Sequence, residues 1–451
     1  MEHIDQLRTL GLFDQRVPRY TSYPTAPVFS TDTGSAFQVE CIRALDPAAP
    51  VSVYVHIPFC ERLCWFCACR TQGTRTLSPV ESYLGTLEAE LTLLAKTLPA
   101  GIKMGRLHWG GGTPTILPPH MINRLAQAIK AAIPPAERFE FSVEIDPTMV
   151  DDAKIAALQA EGMSRASIGI QDFSEDVQEA IGREQSFEAT KRCVDALRAA
   201  GITSLNTDLV YGLPHQTLDK IAASVERVLT LNPDRVALFG YAHVPHMAKR
   251  QNLIDQAHLP GDQLRYHLFQ KASEMFVGAG YAAIGIDHFA KPADALSRAS
   301  QAGTLRRNFQ GYTEDDCSSL IGLGASSISS YPQGYVQNAA ATGAYMQRIE
   351  AGTLAGYRGH PLSQDDVLHA RAIEMLMCDF ALDLDQLQHE FGENAAQLAP
   401  THAEVARKFA PFITLTDSAL AIKPEGHPLT RIIASAYDAY APAEAQYSKA
   451  S

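Results

Sequence analysis

The sequence predicts an α/β fold in which a partial parallel barrel of six βα units follows an N-terminal arm and precedes a smaller, mainly helical domain. Two observations carry this. Between Val51 and about Gly285, short apolar runs alternate with amphipathic helical patterns, which is how βα units read in sequence. Polar or glycine-rich chemistry recurs at the C-terminal end of each run, and in parallel barrels of the TIM type that rim is where active sites are built. A chain of 451 residues accommodates two or three domains, and the pattern divides it into 1–50, 51–360 and 361–451.

The arm opens with a short helical stretch, Ile4 to Leu12. In Pro18-Arg19-Tyr20-Thr21-Ser22-Tyr23-Pro24-Thr25 two prolines bracket two tyrosines, which suits neither a helix nor a central strand. An extended segment is expected there, as a surface linker or as a functional arm. The barrel strands are expected at Val51 to Ile57, Arg106 to Trp109, Phe141 to Glu144, Ala166 to Ile170, Ser204 to Asp208 and Arg235 to Gly240. Helices are expected at Glu81 to Lys96, Pro119 to Ala132, Ala153 to Glu161, Phe187 to Ala200, Leu218 to Leu231 and Asp262 to Ala279. Beyond Pro361, helices at Asp365 to Cys378, Asp385 to Phe391 and Leu429 to Tyr437 flank a hairpin at Phe412 to Ile422, as in a small winged-helix-like unit. Asp438 to Ser451 reads as a loose tail.

Four of the eight cysteines fall between Cys60 and Cys69, directly after the first strand. Thiolates are soft ligands for iron-sulfur clusters, zinc and copper(I), and such density favours a metal over disulfides. Structural zinc usually takes two separated ligand pairs, and no second cluster of Cys or His stands at finger-like spacing. The C-x3-C-x2-C spacing instead lets one short loop hold three irons of a [4Fe-4S] cube and leave the fourth open to another ligand.

Gly110-Gly111-Gly112-Thr113 ends the second strand. So many glycines cost conformational entropy, and the gain is a tight turn or close backbone approach to a ligand. It lacks the lysine of a phosphate loop. Glu144, Gln171, Arg183 and Asp208 follow at or after later strand ends, where carboxylates and amides can meet ribose hydroxyls and an arginine fork can grip a carboxylate. A net charge of −12 argues against general nucleic-acid or anionic-membrane binding. The N-terminal residues show no apolar signal region and no long apolar run occurs, so a cytoplasmic protein without membrane insertion is expected.

The cysteine spacing resembles that of the radical S-adenosylmethionine (SAM) enzymes. By position, the resemblance makes Cys60, Cys64 and Cys67 the cluster ligands and Phe66 a cofactor-packing aromatic, and it leaves Cys69 as a small, partly buried thiol off the iron. Pro18 to Ala26, Tyr54 to Cys60, His108 to Pro114, Glu144 to Pro147, Asn206 to Pro214, Asp287 to Phe289 and Asn308 to Tyr312 resemble, more narrowly, the oxygen-independent coproporphyrinogen III oxidases. Matching segments run from the arm to about Ser329.

That resemblance implies oxidative decarboxylation of two propionates of coproporphyrinogen III to vinyl groups, giving protoporphyrinogen IX in heme biosynthesis. It implies a [4Fe-4S] cluster, a 5'-deoxyadenosyl radical and two SAM molecules. Tyr54, Gly111, Glu144 and Ile328 would meet one SAM; Phe66, Gly112, Thr113, Gln171, Arg183, Asp208 and Ala242 would meet the other. Tyr54, Glu144, Phe309 and Gln310 are the catalytic candidates, and Arg19 is the candidate for a substrate carboxylate. A monomer working with an unidentified electron donor and acceptor is expected. Related heme-binding proteins, thought to be heme chaperones, share the cysteine loop but resemble the arm and Asn308 to Tyr312 poorly; both features are present in this chain.

Overall fold

The computed structural model describes residues 3–440 and 449–450. The chain forms two compact units, each discontinuous in sequence: 29–260 with 315–361, and 1–28 with 261–314 and 362–451. The 261–314 excursion has no counterpart in a division into three consecutive segments, because its helix reads in sequence as one more barrel helix.

In the unit built from both chain ends, helices at Gln364–Asp379 and Leu384–Phe391 stand close to their expected positions, and the last expected helix is confined to Thr430–Ser435. Ser363 and Asp366 close the first with a reciprocal capping box, which fixes its start. The hairpin Ile413–Leu415 with Ala419–Ile422 gains a third strand, Ala381–Asp383, and the helix Ala399–Lys408 completes the winged arrangement. The Pro18 to Thr25 stretch is neither helix nor strand, but it is no surface linker. Val17, Tyr20 and Tyr23 are buried in this unit's core with Leu376, Leu420 and Tyr437. Arg431 donates to the carbonyls of Val17 and Pro18. Of the expected tail, 441–448 and 451 lie outside the described residues.

The other unit holds six parallel strands: β1 Val51–Ile57, β2 Met104–Gly111, β3 Pro135–Ile145, β4 Met163–Gln171, β5 Ser204–Tyr211 and β6 Arg235–Gly240. They neighbour one another in that order, with a helix between each consecutive pair. Three of the crossing helices begin where a side chain satisfies an open N–H group. Asp151, Ser186 and Thr217 accept from Lys154, Ala189 and Lys220 for the helices Asp152–Ala160, Phe187–Ala199 and Leu218–Leu231. Asn232, in the left-handed region at φ 54°, ends the last of these and lets the chain turn into β6. Register places Tyr54 beside His108 and His108 beside Ser142; Glu144 lies beside Ser167, and Ser167 beside Asn206. Side chains alternate along a strand, so these polar groups share one face and Val53, Leu107, Val143 and Ile168 fill the other.

The sheet continues past β1, which the sequence does not announce. Leu320–Leu323 (β7) pairs with β1 in parallel, and Ile328–Tyr331 (β8), Gly334–Asn338 (β9) and Gly356–Pro361 (β10) follow antiparallel. These strands are short and broken by glycine and serine, so no alternation builds up over a readable window. The helix Ser78–Thr97 fastens this extension. Its Glu90, 1% exposed, accepts hydrogen bonds from Gly324 N at 2.8 Å, Tyr345 OH at 2.8 Å and Asn338 Nδ2 at 2.9 Å. Two turns earlier, the Tyr83 hydroxyl donates to the His56 carbonyl at 2.9 Å and accepts from Ala325 N at 2.8 Å. The β7–β8 turn is thereby tied to the end of β1.

Burial pushes the Glu90 carboxyl up to about 7, against three hydrogen bonds that lower it. A carboxyl raised on folding holds its proton more tightly in the folded state. Its contribution is therefore full below the ordinary carboxyl range and is lost as pH rises to about 7, a change on the order of 3 kcal/mol. Thermal denaturation of wild type should show stability falling across that window, and Glu90→Gln should flatten the fall. An unchanged slope in the variant would show that Glu90 does not titrate there.

Candidate active site

The cysteine loop leaves β1 through the short strand Phe59–Cys60, which pairs in parallel with Gln72–Gly73 and closes the loop at its base. All eight cysteines are free thiols; Cys60 and Cys64 are buried, Cys67 is half-buried, and Cys69 is exposed rather than partly buried as expected. Cys60, Cys64 and Cys67 each meet a donor. Thr113 Oγ1 lies 3.6 Å from Cys60 Sγ, Arg183 Nη1 3.4 Å from Cys64 Sγ, and Cys69 N 3.4 Å from Cys67 Sγ. Each of the three sulfurs thus has a hydroxyl, guanidinium or amide donor at hand to support it once it is bound as a thiolate. Hydrogen bonding from Cys69, helped by the charges of Arg250 and Arg183, brings the Cys67 thiol down to about 6, while burial pushes Cys60 up to about 11 in the metal-free chain. Three such sulfurs on one loop fit the ligand set of a [4Fe-4S] cluster.

The glycine run at the end of β2 packs against this loop so closely that side chains are excluded. A Cβ on Gly112 would stand 2.5 Å from the Phe59 carbonyl, one on Gly111 2.5 Å from the His56 ring, and one on Gly110 2.6 Å from Glu144 Oε1. Gly111 also sits at φ 108°, where side chains are strained. Gly112 N and Thr113 N donate to the carbonyls of Ile57 and Phe59, both at 2.8 Å. The turn is tight because backbone of the neighbouring loop and side chains of β1 and β3 fill the space its own side chains would take.

Inside the barrel, the Tyr54 hydroxyl is 3.0 Å from His56 Nδ1, and its ring stacks on His108 at 5.8 Å. His108 Nε2 lies 3.4 Å from Glu144 Oε1, and Gly111 N donates to Glu144 Oε2 at 3.1 Å. The Glu144 side chain remains 42% open to the barrel interior. Burial raises its carboxyl, but the His108 contact and the Gly111 amide outweigh that and hold it below the usual range. Tyr54 goes the other way: burial, then the Glu144 charge, keeps its phenol protonated. His56 and His108 were not singled out by the sequence reading. Their signal was the i, i+2 spacing of Tyr54 and His56 and the position of His108 two residues before Gly110.

On the far strands, Asp208 is held by Ser167 Oγ at 3.1 Å and Asn206 Nδ2 at 2.8 Å. Gln171 ends β4 at a register shift with φ 70°, a conformation that non-glycine residues adopt at a cost and that tends to persist at functional positions. Arg183, besides Cys64, contacts Asp146 at 3.4 Å and the Gly169 carbonyl at 2.9 Å. Phe66 packs on the cluster of Val177, Ile181, Leu213 and Tyr241. Ala242 follows β6, and its carbonyl accepts from Gln251 at 3.1 Å. Ile328 opens β8, and its carbonyl stands beside Gly322, the residue paired with Tyr54. Asp172, which also follows β4, is a different case: it is fully buried and bonded to Gln216 and Ser224, which makes it structural.

Phe309 and Gln310 lie in the other unit, on the turn joining Arg306–Asn308 to Gly311–Thr313; Asn308 Oδ1 accepts from Gln310 N at 2.9 Å. In the same unit the Arg307 guanidinium lies 4.3 Å above the Tyr312 ring and donates to the Arg19 carbonyl at 3.3 Å. Asp287 pairs with His288 at 2.6 Å.

Because backbone, not a movable side chain, faces Gly112, Gly112→Ala should cost on the order of 2–3 kcal/mol and loosen the loop. Thermal denaturation should register the loss, and iron retained after reconstitution should fall. Wild-type stability and iron content in Gly112→Ala would contradict the close seating.

Residues 54–228 match the family model for the radical SAM superfamily. The chain is 62% identical to an oxygen-independent coproporphyrinogen III oxidase of Cereibacter sphaeroides over 452 aligned positions, covering 100% of both chains. It is 53% identical to that of Paracoccus denitrificans, again over 100% of both. Among solved structures it superposes on the coproporphyrinogen III oxidase of Escherichia coli, described as a radical SAM enzyme, with a TM-score of 0.90, 36% identity, and coverage of 94% of this chain and 100% of that one. With that identity over full length, and with the three-thiol loop and its glycine seat in place, this chain belongs to the oxygen-independent coproporphyrinogen III oxidase family of the radical SAM superfamily.

Proposed function

We propose that this chain decarboxylates two propionate side chains of coproporphyrinogen III to vinyl groups, giving protoporphyrinogen IX. The observation that carries this reading is the loop of three donor-bonded cysteines opening beside Tyr54, His108 and Glu144. The cluster and SAM, when bound, supply hydrogen-atom abstraction from an unactivated carbon. The propionate β-carbon loses a hydrogen atom to the radical supplied from SAM, the carboxylate leaves as carbon dioxide, one electron passes to a separate acceptor, and a double bond remains. No general base is needed.

The residues of this chain bind, orient and exclude water. Cys60, Cys64 and Cys67 would hold the cluster. Tyr54, Gly111, Glu144 and Ile328 would hold one SAM, and Phe66, Gly112, Thr113, Gln171, Arg183, Asp208 and Ala242 the second. Glu144, kept ionised, suits an ammonium group or a hydroxyl pair. Phe309 and Gln310 act near the cofactors, and Arg19 takes a substrate carboxylate. A monomer in the cytoplasm, with a separate electron donor and acceptor and no nucleic-acid partner, completes the reading. No helix among the described residues is long and apolar enough to cross a membrane.

Anaerobic reconstitution tests the assignment. Wild type should form protoporphyrinogen IX when reduced in the presence of SAM, whereas stable heme binding without decarboxylation would overturn the reading. Cys60→Ala, Cys64→Ala and Cys67→Ala should each lose the [4Fe-4S] signal and activity. Cys69→Ala should keep the signal, and its loss there would mean that the exposed thiol is a ligand after all.

A further inference from the structure

The turn Lys249–Leu253 lies after β6, remote in sequence from the cysteines, yet two of its side chains grip their loop. Gln251 is fully buried, and its amide makes three hydrogen bonds. Nε2 donates to the Phe66 carbonyl at 2.8 Å and to the Ala242 carbonyl at 3.1 Å, while Oε1 accepts from Val244 N. The neighbouring Arg250 donates through Nη2 to Thr71 Oγ1 at 2.7 Å and to the Cys69 carbonyl at 3.3 Å. The loop is therefore held just before Cys67 by a neutral amide and just after it by a cation. Neither residue offers an atom that iron would take.

We propose that Gln251 and Arg250 are positioning residues for the cluster and the second cofactor. Gln251 fixes the backbone of Phe66 against that of Ala242, so that the cysteine loop and the end of β6 present one rigid cofactor surface. Arg250 anchors the outgoing half of the loop and sets a positive charge beside it, which favours the reduced, more negative cluster. The two roles separate because one is geometric and the other electrostatic. A buried amide left without partners costs more than the bonds themselves are worth, so the geometric role depends on all three Gln251 contacts together. This inference rests on the assignment of the cluster to Cys60, Cys64 and Cys67.

The test uses full-length protein reconstituted anaerobically as wild type, Gln251→Met, Arg250→Gln and Arg250→Lys. Gln251→Met keeps the length of the side chain and loses its hydrogen bonds. It should retain iron and sulfide, while the SAM concentration that half-fills the second site in equilibrium binding of labelled SAM rises about tenfold and kcat at saturating SAM changes less. Arg250→Gln should shift the cluster's reduction potential to more negative values, and Arg250→Lys should restore it in part. Wild-type SAM dependence in a folded Gln251→Met would overturn the geometric role. An unchanged potential in Arg250→Gln would overturn the electrostatic one, and that readout stands even if Gln251→Met does not fold. Absence of iron from the wild-type chain would overturn the cluster assignment itself, and both roles with it.

Discussion

Sulfur that must carry negative charge in a largely buried place needs donors, and its own loop can supply few of them. Of the donors on Cys60, Cys64 and Cys67, only the Cys69 amide comes from the loop; Thr113 and Arg183 are delivered by the ends of other strands. The barrel is what brings these donors together. Parallel register sets Gly111 beside Ile57 and so places Thr113 against Cys60. The helix after β4 returns Arg183 to Cys64, and Asp146 at the end of β3 balances its charge. The ends of β2 and β3 and the segment after β4 are thus occupied with the electrostatics of one short loop.

The glycines at the end of β2 answer a second demand. Donors can come close only if nothing stands between the β1 and β2 ends, and the space there is filled to backbone contact. This ties local sequence to the site. A run that would weaken any ordinary strand is tolerable because the neighbouring loop occupies the volume side chains would have taken.

How far this was readable depended on whether the signal was local. The six barrel strands and the helices from Pro119–Ala132 to Leu218–Leu231 were legible because each carries its apolar pattern or its start signal within its own residues. The cysteine spacing and the glycine run were legible for the same reason. Strands β7 to β10 were not, since Leu320–Leu323 acquires its identity only by lying along β1. Glu90 looks in sequence like one more charged helix residue, and its burial depends on Gly324, Asn338 and Tyr345 far along the chain. The burial of Tyr20 and Tyr23 depends on the C-terminal helices in the same way. His108 and Gln251 are single polar residues whose meaning comes from a partner more than thirty residues away in one case and 185 in the other.

The place of β1 in the sheet also governs how the protein can be made. One of its edges pairs with β2, but the other waits for Leu320–Leu323. During synthesis at about 5–20 residues per second, that edge stays open for on the order of tens of seconds. Throughout that time an apolar strand with unpaired backbone sits immediately before four reduced cysteines. Until Leu320–Leu323 is made, the nascent chain therefore carries an open strand edge and a cluster of thiols side by side, the place where misassociation and oxidation would act first.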